Sequence, residues 1–364
     1  MPQTTEQKEL REVVRSMLDD LATESAVRKQ MAADTFDHAL WNVMATDIGL
    51  QGLAIPERYG GAGAGWVEQG LVFEELGQRL ACVPYLSTVG LATAALLAAD
   101  EPARERWLPE IAGGSVTATV AVPGKPVSGW YFGDLGVSAV RSGPVWRLTG
   151  DAPYVLDGDT ADLVLVAARS ADGIGVYAVE GVMAAPVGTS DQTRRIASLT
   201  FTGTPATRIG GAEVAAAAHR AGITMLACEQ AGGAAFCLDQ AVQYARVRRQ
   251  FGRPIGSFQA VQHHCADMLI AVETARSAAW RAVRGLDSDE PADRVATLAA
   301  GAACGEAYAF CASMNVQIHG GIGYTWEHFA QMHVKRSRGS LVLLGSPAQH
   351  RRALMSSDEV LAGS

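Results

Sequence analysis

The sequence predicts a mainly α-helical protein with a β domain in the middle of the chain. In residues 1–115 and again in residues 216–364, apolar residues recur at intervals of three and four, the period of one face of an α-helix. In residues 116–215 the period changes to two and the apolar runs are short, as in β-strands separated by turns. We therefore expect three domains with these boundaries, in the order helical, β and helical.

The N-terminal region is expected to contain four helices and one glycine-rich connection. The helical sequences are KELREVVRSMLDDLA, FDHALWNVMATDIG, WVEQGLVFEELGQRLA and LSTVGLATAALLAAD. The connection IPERYGGAGAG separates the second helix from the third, and clustered glycines before a helix can expose backbone N–H groups to a phosphate. Its spacing matches neither GxGxxG nor GxxxxGK[ST], and Pro56 stands where a strand should lead into such a loop. We interpret it as a structural connection.

The middle region contains short runs with strand-like alternation, separated by Gly, Asp and Pro. These runs are TATVAV, VWRLTG, ADLVLVAARS, IGVYAVE and SLTFTG. They predict a small β domain.

The C-terminal region begins with a long helix through LACEQAGGAAFCLDQAVQYARVRRQ, which should end at the break FGRPIGS. Ser257 is expected to cap the next helix, and Pro291 to begin a third one that ends at Gly320 and Gly321. Pro347 is expected to begin the last helix.

Composition excludes several classes of protein. The formal net charge is −8 and the arginines form no basic stripe, so we expect no nucleic-acid partner. No uncharged apolar run approaches the about 18 residues of a membrane span, and the first residues are polar, so we expect a cytoplasmic protein without membrane contact. The cysteines show neither CxxC nor a Cys/His cluster at zinc spacing, and we expect reduced, mostly buried thiols.

Two other patterns indicate neither a metal site nor a catalytic nucleophile. His263 and His264, with Asp267 one turn further on, lack a third metal ligand and fit a solvated surface. Ser346 has no GxSxG context and is not expected to be a nucleophile.

The segments RVRRQFGRPIGSFQAVQ and NVQIHGGIGYTWEH are the most specific in the chain. In the first, fixed guanidinium groups beside an aromatic ring suit a pyrophosphate and an adenine, although arginines at a helix end also complement the helix dipole. In the second, two glycines after a helix allow close backbone approach, while Tyr324 and Trp326 offer flat surfaces. The alternative there is a helix C-cap with a buried aromatic pair. Together the two segments favour a ligand.

At this point the chain resembles the flavin-dependent acyl-CoA dehydrogenases. The run DIGLQGLAIPERYGGAGAG followed by FEELG is similar to the family's N-terminal domain, RRQFGRPIGSFQAVQHHCADM to its helix-turn-helix signature, and QIHGGIGYTWEH to its late glycine motif. The resemblance covers nearly the whole chain. It implies the acyl-CoA dehydrogenase fold, with an N-terminal helical domain, a β-barrel-like middle domain and a C-terminal four-helix bundle, and it implies FAD as the cofactor.

The resemblance also implies how FAD is shared between subunits. In the family two bundles pack together, and two segments of each subunit reach the adenosine-pyrophosphate half of the neighbour's FAD. Carried over by position, the cofactor-binding residues are Arg248, Gln250, Phe251, Ile255, Phe258, Gln317, Gly320 and Gly321.

The flavin-ring half of the cofactor is held, in the family, by the subunit's own β domain. The corresponding stretches here are VAVPGKPVSGWYFGD and GDAPYVLDGDTADLVLV, and the first lacks the family's Thr-Glu and Gly-Ser-Asp. We therefore expect the chain to keep the residues that contact the neighbour's FAD and to have lost those that would hold the flavin ring of an FAD of its own.

The family's catalytic base is also missing. Desaturation removes the proton α to the thioester while hydride leaves the β carbon for flavin N5, so a carboxylate must act as base. The family's two positions for this Glu correspond to Leu344 and Gly222, and neither holds an acid. Glu229 is an alternative base, about 10 Å further along the helix than Gly222, although we favour a buried structural role for it.

We therefore expect a subunit of a heteromeric acyl-CoA dehydrogenase that lacks its own base and completes the FAD site of a homologous partner. The resemblance implies an α2β2 heterotetramer, an electron-transfer acceptor and an acyl-CoA substrate. Because similar two-subunit enzymes shorten sterol side chains in actinobacteria, a steroid or other polycyclic acyl-CoA is the expected substrate class. Two alternatives stay open: a self-sufficient homo-oligomer with a base such as Glu229, and a flavin-free scaffold subunit.

Overall fold

A computed structural model of the chain describes residues 3–122, 135–288 and 290–355. The helices are α1 (Thr5–Leu21), α2 (Glu24–Gln30), α3 (His38–Val43), α4 (Trp66–Arg79), α5 (Thr93–Leu97), α6 (Glu101–Ala112), α7 (Ala212–Val247), α8 (Gln259–Arg284), α9 (Pro291–His319), α10 (Ala330–Leu343) and α11 (Pro347–Met355). The strands are β1 (Ala118–Ala121), β2 (Val137–Ser142), β3 (Val145–Leu156), β4 (Leu163–Ser170), β5 (Gly173–Glu180), β6 (Met183–Pro186), β7 (Ile196–Gly211), β8 (Arg249–Gln250) and β9 (Arg253–Pro254). The prediction of helical regions on either side of a β domain is confirmed.

The chain divides into two compact units. One contains the described residues of Met1–Arg28, Gly70–Ala81 and Ile223–Ser364, and the other Lys29–Gln69 and Cys82–Gly222. The three domain boundaries expected from the sequence stay a prediction.

The β domain lies in the second unit and closes on itself. Its strands run in the order β4, β2, β3, β7, β5, and β5 pairs again with β4, so these five strands form a ring. β1 is parallel to β4 and β6 is antiparallel to β7. Alternate side chains fill the interior, among them Leu148, Val164, Tyr177 and Phe201.

The first unit is a helical bundle whose core lies among α7, α8 and α9. This core contains small residues of α7, Met268 and Val272 of α8, and Tyr308 and Cys311 of α9. Backbones approach most closely where α4 meets α7. A Cβ added to Gly77 would lie 2.0 Å from the carbonyl oxygen of Glu229. The glycine therefore permits a crossing that any side chain would push apart.

Two adjacent buried carboxylates tie α1 to α4 within this unit. Arg11 donates to Glu74 over 2.7 Å and to Glu75 over 2.8 Å, and Arg276 of α8 donates to Glu74 over 2.9 Å. Burial raises the pKa of Glu74, but the hydrogen bond and charge of Arg11, with those of Arg276, outweigh it and lower the pKa overall. The carboxylate is therefore charged in spite of its burial.

Two helical segments are long and apolar enough to cross a membrane, Ala212–Val247 and Ala292–Tyr324. In the first, 94% of the apolar stretch is buried inside the protein, and in the second 61%. Burial of this kind is typical of the core helices of a bundle, so length and composition alone do not indicate a span.

Most predicted helix ends agree with the structure. Pro291 begins α9, Gly320 caps it, and Pro347 begins α11. The expectation for Ser257 was wrong. α8 is capped by the extended residue Phe258 without a side-chain bond, and the hydroxyl of Ser257 donates to the carbonyl of Pro254 over 2.7 Å.

Several short elements were missed by the sequence analysis, including α6 and β2. The start of α6 carries a local signal, because the amide of Ala103 donates to the carboxylate of Asp100 at the helix N-cap. The glycine-rich connection is folded against its own first turn, where a Cβ on Gly61 would lie 2.0 Å from the carbonyl oxygen of Ile55. This packing supports its interpretation as a structural connection.

Candidate functional site

The first candidate cofactor segment is a β-hairpin that follows directly from α7. Strands β8 and β9 pair, and the amide of Ile255 donates to the carbonyl of Arg248 over 2.8 Å. The residues at the tip, Phe251 and Gly252, have positive φ angles of 50° and 81°, as the central residues of a type I′ turn do. We refer to residues 248–258 as the hairpin segment.

Phe251 is an unusual residue for this tip. Left-handed backbone suits glycine or asparagine, and another residue adopts it at a cost of about 1–2 kcal/mol. The Phe251 side chain is also 90% exposed, and its ring meets Phe258 edge-on with centroids 6.0 Å apart. Backbone strain is concentrated at ligand-binding sites, and a strained, exposed aromatic residue supports contact with a ligand.

The other predicted residues of the hairpin segment differ in exposure. Arg248 and Gln250 are exposed, whereas Ile255 and Phe258 are half-buried. The Arg253 guanidinium lies 4.2 Å from the centre of the Phe258 ring, a cation–π contact that the sequence analysis did not anticipate. The polar groups of Arg248 and Gln250 are therefore accessible to a ligand, whereas the Phe258 ring is in contact with Arg253.

The second segment, which we call the glycine turn, runs from Gln317 to Gly321 at the end of α9. Gln317, Gly320 and Gly321 are exposed. Gly320 has φ 67° and ψ −146°, a conformation available in practice only to glycine. A Cβ on Gly321 would meet nothing within 4 Å. The fold itself therefore does not require glycine at position 321, whereas close approach of a ligand would.

The hairpin segment and the glycine turn are brought together by a contact between a residue just before the hairpin segment and a residue within the glycine turn. Tyr244, one turn before Arg248, stacks on His319, the residue before Gly320, with ring centroids 4.2 Å apart and planes 27° from parallel. All eight predicted cofactor residues thus belong to two neighbouring segments of one unit. An extended pyrophosphate-containing group fits the exposed arginine, aromatic ring and bare backbone that they offer.

Tyr324 and Trp326 follow the glycine turn and are 83% and 60% exposed. The amine of Lys335 lies 3.6 Å from the centre of the Trp326 ring. The helix C-cap of the alternative is present at Gly320, but its buried aromatic pair is wrong, since both rings are exposed.

The first position expected for a catalytic base is apolar and buried. Leu344 is 3% exposed and stands before Gly345, whose φ is 108°. The turn is closed by reciprocal hydrogen bonds between Ser346 and Gln349 at the start of α11, a capping box. The backbone of the turn is thus well formed, with a leucine at the position where the resemblance predicts an acid.

Leu344 lines a recess of about 10 Å³, room for roughly one water molecule. The lining consists of Ile223, Leu226, Gln230, Gly301, Gly305, Ser340, Leu341, Leu344, Gly345 and His350. No Asp or Glu is among these lining residues. Burial lowers the pKa of His350, so its imidazole is neutral near pH 7.

The two remaining candidate positions lie in α7. Gly222 offers no side chain. Glu229 is buried, and its carboxylate accepts a hydrogen bond from Arg336 of α10 over 2.8 Å, in an ion pair whose side chains are 8% and 5% exposed. Arg336 was not anticipated from the sequence, because its pairing depends on how α10 packs.

The stretches expected to hold the flavin ring are only partly described. VAVPGKPVSGWYFGD falls almost entirely in residues 123–134, outside the described residues. GDAPYVLDGDTADLVLV forms the end of β3 and the start of β4, with an irregular register between Ala152 and Val155. There Tyr154 is 57% exposed and has a φ of 60°.

A helical bundle and a closed β domain, with an exposed hairpin beside a glycine turn, form the architecture of a flavin-dependent dehydrogenase. Residues 4–115 match the acyl-CoA dehydrogenase N-terminal domain, and residues 210–357 match the C-terminal domain. The chain belongs to the acyl-CoA dehydrogenase family, whose members depend on FAD.

Individual relatives cover the chain almost completely. Acyl-CoA dehydrogenase IpdE2 of Mycobacterium tuberculosis is 37% identical over 96% of both chains. Among solved structures, the ChsE4-ChsE5 complex from Mycobacterium tuberculosis matches with a TM-score of 0.90 at 31% identity, covering 100% of this chain and 99% of that one. A variant of the Tcur3481-Tcur3483 steroid acyl-CoA dehydrogenase matches with a TM-score of 0.90 at 30% identity over 98% of both chains.

Proposed function

We propose that this chain is the base-less subunit of a heteromeric, cytoplasmic acyl-CoA dehydrogenase and completes the FAD site of a homologous partner. One observation carries the proposal. Leu344, which the resemblance aligns with the family's usual base, is buried in a recess with room for roughly one water and no acid in its lining. A leucine cannot accept the α-proton of an acyl-CoA thioester.

The partner's carboxylate would take the α-proton, and FAD, when bound, accepts the hydride from the β carbon. This chain's part is binding. Arg248 would pair with the pyrophosphate, and Phe251 would lie against the adenine. Gln317 would donate to the cofactor or accept from it beside Gly320 and Gly321, where the bare backbone leaves room for it. These residues would orient the cofactor without touching the reacting carbons.

Exposed apolar residues support an assembly. Leu269 and Ile270 of α8 are 50% and 67% exposed, and Phe310 of α9 is 37% exposed. α8 and α9 pack against each other, and exposed apolar side chains on both helices are compatible with a protein–protein interface there. We propose an α2β2 heterotetramer in which two FAD molecules are shared.

The two-protein relatives support a partner of the same family, and the relative described as a steroid acyl-CoA dehydrogenase supports a steroid or similar polycyclic acyl-CoA as substrate. Electrons would leave through a separate electron-transfer acceptor.

Glu229 is poorly suited to be the base. Its carboxylate is engaged by Arg336, and its backbone carbonyl lies at the tight crossing with Gly77. It does not line the recess beside Leu344. The self-sufficient enzyme is therefore disfavoured on geometry.

The test is to purify the chain alone and together with homologous partners that keep the Glu. We expect the chain alone to be inactive and the complex to be yellow and active, with one FAD for every two chains. In a second arm, Glu229→Gln and Arg336→Met are combined in this chain, so that neither buried charge is left unpaired. Turnover of the complex should then stay within about twofold.

Dehydrogenase turnover by the chain alone would overturn the proposal. Loss of turnover in a folded complex carrying the double variant would assign the base to Glu229 instead. A complex that forms without FAD at saturating cofactor would point to the scaffold function.

A further inference from the structure

The short ring stack between the hairpin segment and the glycine turn has no role in the chemistry above. His319 is buried, with 6% of its surface exposed, and packs between two rings. Tyr244 stacks on it at 4.2 Å, and His328 lies against it with centroids 4.4 Å apart and planes at 50°. We refer to Tyr244, His319 and His328 as the ring stack.

His319 is fixed in a second way by its own helix. Its Nδ1 lies 2.8 Å from the carbonyl oxygen of Asn315, one turn earlier in α9. Because a carbonyl can only accept, Nδ1 carries the proton and the ring orientation is set. The residue directly before Gly320 is therefore held both by a hydrogen bond and by two ring contacts.

The glycine turn has few contacts of its own. The amide of Gly320 bonds back to the carbonyls of Gln317 and Val316, and a Cβ on Gly320 or Gly321 would meet nothing within 4 Å. The position of Gly320 and Gly321 therefore depends on His319, the residue directly before them.

The hairpin segment is tied to the other end of the stack. The amide of Arg248 donates to the carbonyl of Tyr244 over 2.9 Å. Gly256 packs on the same helix end, since a Cβ there would lie 2.9 Å from the carbonyl oxygen of Ala245. A shift of Tyr244 would therefore carry the hairpin segment with it.

We propose that the ring stack sets the spacing between the hairpin segment and the glycine turn before cofactor or partner arrives. Tyr244, His319 and His328 are positioning residues in this assignment, since they act through Arg248 and Gly320. The inference rests on the proposed function, because the two segments matter as halves of one FAD-binding surface. Preorganisation of this kind raises affinity by removing the cost of ordering the segments during binding.

The test compares Tyr244→Leu, which removes the ring, with Tyr244→Phe, which keeps the ring and removes only the hydroxyl. Hydrogen–deuterium exchange of residues 318–324 is measured in the chain alone, and FAD affinity is measured in the complex. Tyr244→Leu should accelerate exchange in residues 318–324, more than 70 positions away in sequence. It should weaken FAD binding about two- to tenfold, the value of one aromatic pair. Tyr244→Phe should match the natural chain in both measurements.

Unchanged exchange in residues 318–324 of Tyr244→Leu would overturn the inference whatever FAD does. Faster exchange with unchanged affinity in the complex would overturn the link to the cofactor. If no FAD binds to the natural complex, the proposed function fails, while the exchange data still judge the ring stack. Should Tyr244→Leu not fold, His328→Asn removes the other ring contact, keeps a side-chain acceptor and carries the same expectations.

Discussion

A buried histidine in the bundle has properties that its sequence context does not reveal. His333 is 0% exposed, its Nδ1 lies 2.8 Å from the Tyr308 hydroxyl, and its ring stacks on Phe236 with centroids 4.6 Å apart. Burial, with smaller contributions from the charges of Arg336 and Arg79, lowers the pKa of His333 to about 3. The imidazole is therefore neutral in the folded protein near neutral pH.

This histidine predicts an acid-sensitive stability. Between about pH 6.5 and pH 3 the unfolded chain binds a proton at His333 and the folded chain does not, so folding free energy is lost as the pH falls, at about 1.4 kcal/mol per pH unit. From this residue alone we expect a loss of about 2 kcal/mol at pH 5, seen as a lower urea midpoint. His333→Gln keeps an acceptor for Tyr308. It should reduce the loss of stability, measured as the free energy of unfolding, between pH 7.5 and pH 5. An identical pH dependence in the two proteins would contradict this account.

Sequence reasoning at the level of residues succeeded where a motif fixes position along the chain. The turn after Leu344 was predicted because its Gly, Ser and Pro are readable in the sequence, whereas the assignment of Leu344 to the position of the base stays a prediction. The partners Tyr308 for His333 and Arg336 for Glu229 were missed, because they are 25 and 107 positions away in sequence and meet only when helices pack. No local pattern contains that information.

Among the elements, the crossing of α4 and α7 has the smallest tolerance for change. A Cβ on Gly232 of α7 would lie 1.8 Å from the carbonyl oxygen of Glu74, the counterpart of the contact between Gly77 and Glu229. The obstructing atoms are backbone on both sides, so rotation of a side chain cannot relieve the clash.

Gly232→Ala should therefore destabilise the protein. Alanine gains about 1 kcal/mol over glycine in helix propensity, but moving a helix to relieve overpacking costs about 3 kcal/mol, so the net loss should be about 2 kcal/mol. Gly188→Ala is the matched control, because a Cβ there meets nothing within 4 Å and the site is an exposed loop. Urea unfolding of the three proteins gives the comparison, and equal midpoints would show that the helices separate without cost.

Element boundaries were likewise predicted correctly where local sequence determines them and missed where contacts distant in sequence do. Pro291 and Pro347 begin helices because proline suits the first turn whatever lies nearby. Ser257 failed as a cap because the chain turns once more through Ile255–Ser257 before α8 begins. The closed ring of strands could be expected only through the family resemblance, since it depends on β5 returning to β4.

Across the whole molecule, most of the candidate cofactor-binding residues are exposed, whereas the candidate positions for the base are buried. Residues proposed to serve a neighbour, such as Arg248, Phe251 and Gln317, are exposed, whereas Leu344 and Glu229 are buried. A chain that catalysed alone would need the reverse for its base. Under the proposed function, these exposed residues act only in the complex, where they contact the FAD of the partner.

A substitution at Phe251 should change the stability of the isolated chain and the FAD affinity of the complex in opposite directions. Phe251→Asn places a residue that tolerates positive φ at the hairpin tip, so the isolated chain should become more stable by up to about 1 kcal/mol and more soluble. The same change removes the exposed ring proposed to contact FAD, so the complex should lose FAD affinity by about tenfold. Val140→Asn, at a strand position that is 65% exposed and outside the proposed site, controls for the loss of an exposed apolar side chain. Chemical unfolding of the single chain and FAD titration of the complex measure the two effects. A complex with Phe251→Asn that binds FAD as tightly as the natural one would mean that the strained ring serves some purpose other than the cofactor.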